Sequence, residues 1–462
     1  MSVIIALAAL RLLASGDAAA TAAPVAADLA RLYGATAELA GATRYDPRTA
    51  MLLWTGDGTA TWQLTVPRAT EFDAALYYAS GRAGAAVTVE AGNTLTGSVQ
   101  KTRGPFHDDK LNFERVALDG KLVLPAGTHT VRVRIGGSPQ DDVRVRSLEL
   151  TAVTARDGIE QERRRARASR SSTDWLVGGV YGVMFHWTSQ SKPRRGPAKP
   201  YAEAVASFDV PAFVDMVEQT GAAHVILTVN HADPHCPAPI QSWERVHPGM
   251  TTRRDLIGEI ADGLIRRKVR LLLYFASHTL GRLGKVSAEE YFKVHEDVLT
   301  EFGERYRERI AGYWFDGWYQ GLERYPGLRM DRLRTITRVG NPDRLVAYNF
   351  WIFPVETEWQ DYWAGEVGGP VKLPAARYIE HGAGRGLQDQ SLWIGDAPWV
   401  HSTPDAEMEP PRFSDAELIE FVQAARAKGS VVTINLGIFQ DGSIGPAMLE
   451  QMRRLRRAIR GN

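Results

Sequence analysis

The sequence predicts a multidomain chain, an antiparallel β-sandwich followed by an α/β barrel of the (β/α)8, TIM-like type. Three observations carry that expectation. The 462 residues exceed one ordinary domain. Between about residues 35 and 153, short alternating runs are punctuated by Gly, Asn and Pro turns, the pattern of antiparallel strands. From residue 175 to 462, strand-like and helix-like runs alternate, the pattern of a parallel barrel.

Taken in order, residues 61–66, 86–90, 129–135 and 143–150 alternate apolar with polar side chains, as half-buried strands do, and 122–124 leads into a Pro-Ala-Gly turn. Trp54, Trp62, Tyr77 and Tyr78 lie in this first domain, where alternating aromatic residues in a strand are core before they are sugar platforms. Residues 154–174 form a charged linker, rich in Arg and Glu and without apolar periodicity. Strands are then expected at 178–185, 223–229, 269–275, 310–315, 344–350, 392–394 and 431–436. Helices are expected at 209–220, 254–267, 288–309, 415–427 and 446–459; Leu256, Ile257, Ile260 and Leu264 show the helical period. A doubly wound open sheet is disfavoured, because no Gly-rich phosphate fingerprint follows the first of these strands.

A formal net charge of +1 gives no bulk electrostatic case for nucleic acid or membrane as partner, and nothing sets an oligomeric state. Residues 1–34 read as a signal peptide or N-terminal extension: an apolar run interrupted by Arg11, then small residues from Ala18 to Ala23. Secretion or a periplasmic location is expected from it, a cytoplasmic one being the alternative. No other segment reaches the roughly 18–20 apolar residues of a membrane span. A single cysteine, Cys236, leaves no intramolecular disulfide.

The chemistry is carried by what ends each barrel strand: His186-Trp187, Asn230-His231, Ser277-His278, Asp316, Asn349 and Asn435. Barrel enzymes draw their catalytic groups from these C-terminal ends. Several His and Asn at one mouth suit a polyhydroxylated ligand, since each can pair with a hydroxyl in one orientation and reject another. Asp316, after Tyr313-Trp314-Phe315, is a carboxylate that burial penalises unless it is paired or at work. A retaining glycosidase needs a second, protonated carboxyl group facing such a nucleophile. Glu356, Glu358, Glu366 and Glu380 are the candidates downstream.

Several of these segments resemble the family 29 α-L-fucosidases. Residues 181–187, Tyr-Gly-Val-Met-Phe-His-Trp, look like that family's FGIFIHWG opening. Phe208-Asp209, Gly221-Ala222, Ile226-Leu227-Thr228, His231, Asp233 and Cys236 fall along its second conserved segment. Trp314-Phe315-Asp316-Gly317 matches its WFDG nucleophile motif, and 432–437 with Asp441-Gly442 its late LLLNIGP…DG stretch. The resemblance covers roughly 175–455. It implies a retaining exo-glycoside hydrolase without cofactor or metal, acting on a terminal fucose or related sugar of a glycan. Asp316 would be the nucleophile. His186, Trp187, Asn230, His231, Trp314 and Asn349 would line the sugar site. Glu380, in a stretch like the family's LP…WE, is the first choice for acid/base. Glu366, in a stretch like DYxTPE, is the second. The first domain resembles the jelly-roll carbohydrate-binding modules appended to glycosidases, through 122–135 and its strand rhythm; in such modules a residue like Glu38 can help to hold calcium.

The chain departs from the family pattern at the sugar site. A second imidazole is replaced by Ala232, the preceding lysine by Asn230, and the glycine after His-Trp by Thr188. These changes touch the identity of the sugar more than the cleavage. Two rival readings are a non-catalytic carbohydrate-binding protein on the same fold, and a metal-dependent barrel hydrolase using His231, Asp233, His235 and Cys236.

Overall fold

The structure, a computed structural model, describes residues 28–103, 112–136, 142–366, 376–379, 384–394 and 399–461. Ten strands precede residue 153: β1 (Leu29–Tyr33), β2 (Glu38–Asp46), β3 (Met51–Val66), β4 (Thr70–Ser80), β5 (Ala86–Ala91), β6 (Asn93–Ser98), β7 (Glu114–Ala117), β8 (Leu122–Leu124), β9 (Gly127–Gly136) and β10 (Val143–Ala152). They form one antiparallel sheet in the order β6-β5-β9-β3-β10-β4-β7, with β1 on β10, β2 on β3 and β8 on β4. The sheet curls into a nearly closed, barrel-like form, which departs from the two stacked sheets expected from the sequence. The reason is β3. Its first part pairs with β10 through Leu52–Trp54 and its second with β9 from Gly58 to Val66, so one long strand joins what would be two layers. β1 also lies inside the stretch read from sequence as an N-terminal extension.

Alternation builds the core of this domain. Val131, Val133 and Ile135 of β9 point inward while the arginines between them stay outside. Trp54, Trp62, Tyr77 and Tyr78 are all buried, and the indole nitrogens of Trp54 and Trp62 donate to the carbonyls of Gly58 and Tyr33. These rings are packing and present no sugar platform.

A helix, Arg156–Ala168, leads to the second sheet. Its seven strands are β11 (Tyr181–Phe185), β12 (His224–Asn230), β13 (Arg270–Ala276), β14 (Ile310–Asp316), β15 (Leu345–Tyr348), β16 (Gln390–Ile394) and β17 (Val431–Leu436). All pair in parallel, in the order β15-β14-β13-β12-β11-β17-β16, as a curled sheet. Their near-continuous burial is that of strands covered on both faces. Helices such as Val210–Thr220, Leu256–Arg266, Ala288–Tyr306 and Asp415–Ala427 begin where Asp209, Asp255, Ser287 and Ser414 cap free backbone N–H groups.

Between the edge strands β15 and β16 runs the segment 360–366. The Asp361 N–H donates to the Val346 carbonyl at 2.8 Å on one side. On the other, Trp363 donates to Gln388 at 3.0 Å and Leu392 to Gly365 at 3.0 Å. Isolated parallel bridges join Tyr362 to Gln388 and Glu366 to Leu392. Asp361 is also locked by a buried pair with Arg334, with an Oδ2 contact of 2.6 Å.

The first domain contributes to the core of the second. Ala50, Met51, Ala79 and Phe113 belong to the apolar cluster that contains β11, β12 and β14 side chains. Among the described residues no helix is long and apolar enough to cross a membrane.

Candidate active site

Asp316 ends β14, where the register sets it opposite Ala276 at the end of β13. Gly317 follows with a φ of 75°, a left-handed conformation that glycine adopts freely. A Cβ there would also stand 2.6 Å from His278 Nδ1, so the turn that exposes Asp316 needs glycine twice over. Both oxygens of Asp316 are engaged. The Tyr274 hydroxyl donates to Oδ2 at 2.7 Å and the Asn349 amide donates to Oδ1 at 2.9 Å. Donors on both oxygens hold the carboxylate in a fixed orientation.

The same Asn349 nitrogen donates to Glu366 Oε2 at 2.5 Å. Two bonds from one nitrogen place those oxygens of Asp316 and Glu366 no farther apart than about 5.4 Å, the two lengths laid end to end. The amide is itself oriented, because its oxygen accepts from the Trp351 N–H at 2.9 Å. Glu366 sits at the end of the segment 360–366. Gly365 before it has a φ of 69°, and a Cβ there would meet the Gln390 carbonyl oxygen at 1.9 Å. Burial, then the charge of Asp316, push the Glu366 carboxyl up to about 7, against the partial opposition of the Asn349 bond. Glu366 is therefore the group here that keeps its proton near neutrality while Asp316 is held by donors.

Around this pair stand aromatic and imidazole rings. His186 lies 4.9 Å from Tyr274, 5.4 Å from His231 and 4.8 Å from Trp399, centroid to centroid. Trp314 stacks behind Tyr274 at 5.1 Å. Burial lowers the pKa of His186, His231 and His278, so all three are neutral rings; Asp316 partly offsets this at His231 and His278. His186 Nδ1 and His278 Nδ1 are buried without a hydrogen-bond partner in the protein.

The residues expected from sequence divide. Asp316, Glu366, Asn349, His186 and His231 are brought together, and Trp314 backs them. Trp187 is turned into packing against Tyr201 and Phe208, its indole N–H donating to the Gln440 carbonyl. Asn230 spends its amide on both backbone groups of Ala276, tying β12 to β13. Glu356 bonds Tyr33 and Arg146 of the first domain, and Glu358 pairs with Arg163. Glu380 lies outside the described residues. Tyr274 and Trp399 were not singled out by the sequence. Tyr274 sits in an apolar run that reads as plain core, though its place two residues from the strand end was a usable signal.

The loop considered for a metal is engaged otherwise. Asp233 accepts from Ser189 and from the His235 backbone, with His235 Nδ1 at 2.8 Å, and Cys236 is fully buried with its thiol pKa pushed up by burial. Among the described residues no three His, Cys, Asp or Glu side chains, Glu38 included, gather as ligands of a metal.

No protein-family model matches the chain, and no curated protein matches it significantly in sequence. Solved structures of fucose-cleaving glycoside hydrolases resemble its fold at low identity. An endo-fucoidan hydrolase of glycoside hydrolase family 107 is 15% identical, with a TM-score of 0.49 over 62% of this chain and 63% of its own. The α-L-fucosidase AlfC from Lactobacillus casei, in complex with α-L-fucose product, is 14% identical, with a TM-score of 0.41 over 62% of this chain and 97% of its own. A bacterial fucosidase with an iminocyclitol inhibitor is 13% identical, with a TM-score of 0.43 over 61% of this chain and 73% of its own. The chain spans less than two thirds of the family 107 enzyme. Likeness at this level places no residue.

Proposed function

We propose that this chain is a retaining exo-glycoside hydrolase that releases a terminal fucose or related sugar from a glycan. The observation that carries the reading is the Asn349 clamp: one amide holds Asp316, an engaged carboxylate, next to Glu366, a carboxyl group pushed up to about 7. A ceiling of about 5.4 Å between these two oxygens favours the roughly 5–5.5 Å carboxyl separation of retaining enzymes over the wider one of inverting enzymes. We read the second sheet as a (β/α)8 barrel in which 360–366 takes the place of a strand between β15 and β16. That reading puts Glu366 on the rim with the ends of β11, β13 and β14.

In the first step an Asp316 oxygen attacks the anomeric carbon. The bond from that carbon to the leaving oxygen breaks, and Glu366 gives that oxygen its proton. Tyr274 and Asn349 stabilise Asp316 before attack and keep it aimed. In the second step the Glu366 carboxylate takes a proton from water as the water oxygen displaces Asp316 from the sugar, which restores both groups. The three neutral imidazoles and Trp399 would bind sugar hydroxyls and an apolar sugar face. The motif resemblance favours fucose, while Ala232 removes one imidazole and His278 adds another beside Asp316.

The acid/base role separates Glu366 from Glu380. Glu366→Ala is expected to retain turnover of aryl glycosides with good leaving groups while losing about 10²–10⁴-fold on unactivated glycosides. Glu380→Ala is expected to stay near wild type on both. The reverse pattern would move the role to Glu380.

A further inference from the structure

We propose that the N-terminal domain is a working part of the active site, with Arg146 as a positioning residue that holds the loop carrying Asn349. This goes beyond the proposed hydrolysis and rests on it.

Arg146 ends in a fully buried guanidinium at the junction of the two domains. It donates to Glu323 Oε2 at 2.7 Å, Glu356 Oε1 at 3.1 Å and the Tyr319 carbonyl at 2.6 Å, all in the second domain. The same carboxylates accept from Tyr33 and Tyr45 of the first domain, both at 2.9 Å. Arg31 adds a bond to the Glu356 carbonyl at 3.2 Å. The second domain thus brings two buried carboxylates and the first brings their cation. Apart, each half would carry uncompensated charge on an apolar face.

The contact leads to the clamp by two short paths. The Arg146 guanidinium lies 4.6 Å over the Phe353 ring, and Phe353 meets Trp351 edge-on at 6.0 Å. The Trp351 N–H fixes the Asn349 amide, although Trp351 has a φ of 51°, a left-handed conformation that a bulky residue holds only under constraint. Phe113 of the first domain meets Phe353 edge-on at 5.0 Å. The second path is the Tyr319 carbonyl, three residues beyond Asp316. A catalytic separation set by one amide is sensitive to small shifts of the loop behind it, so the support matters to rate.

A double-mutant cycle in the full-length protein tests this, with Arg146→Met, Asn349→Ala and the pair, assayed on an activated aryl glycoside. Arg146→Met is expected to lower kcat by about 10–100-fold with KM changed less than about threefold. In the Asn349→Ala background it should add less than about threefold, since both changes disable one clamp. Arg146→Lys, which keeps the charge but not the fork, should lie between. If Arg146→Met does not fold, Phe353→Leu replaces it in the same cycle with the same expectation. Multiplicative losses, or an unchanged kcat in either folded variant, would overturn the proposal while leaving the hydrolytic reading standing. Turnover surviving in Asp316→Ala would remove both.

Discussion

At the residue scale the account turns on two carboxyl groups that share one amide. The sequence singled out Asp316 through its strand-end position and its aromatic flanks, but it ranked Glu380 above Glu366. The proposal of Glu366 rests on the Asn349 bond and on Gly365, neither visible as spacing, while Glu380 lies outside the described residues. The raised Glu366 carboxyl also has a thermodynamic consequence. It holds its proton to about 7 when folded and releases it near the ordinary carboxylate value when unfolded. Its contribution to stability is therefore full below the unfolded value and lost as pH rises through about 7. Glu366→Gln, which cannot ionise, is expected to gain on the order of 1–3 kcal/mol over wild type between pH 5 and pH 8. Denaturant melts of both proteins at the two pH values check this; parallel pH dependence would show that the Glu366 carboxyl is not raised.

At the element scale, the seven strands of the second sheet and the five longest helices after residue 174 were legible because buried parallel strands and amphipathic helices write their period into the sequence. The segment 360–366 was not. Its backbone is held by isolated bridges, Asp361 and the Arg334 pair rather than by a run of apolar residues, so no periodicity announces it. The sandwich expectation failed for a related reason: alternation marks each strand of the first domain but says nothing about β3 serving two layers. Gly365→Ala probes the segment directly. Its Cβ would collide with the Gln390 carbonyl, so the chain must shift at Glu366. Loss of about 10²-fold in kcat with a modest fall in melting temperature is expected. A variant with wild-type kcat would show that Glu366 needs no such placement.

At the scale of the whole molecule, the charged stretch 154–174 reads as a linker, and the structure shows a shared core and a buried ion network across the boundary it marks. Sequence could not show this, because Arg146, Glu323 and Glu356 are far apart along the chain and no local pattern pairs them. Residues 154–462 expressed alone are expected to be insoluble or markedly less stable, since Glu323 and Glu356 would lose their cation and an apolar face would be uncovered. A soluble fragment melting at the full-length temperature would contradict that expectation.

The central claim is that Asp316 attacks the sugar, and Asp316→Ala tests it most directly when assayed on a panel of aryl glycosides led by aryl α-L-fucosides, with and without azide. The account predicts loss of turnover by at least about 10³-fold, and partial rescue by azide to a glycosyl azide of inverted configuration. Turnover within about tenfold of wild type, on any substrate that wild type cleaves, would contradict it.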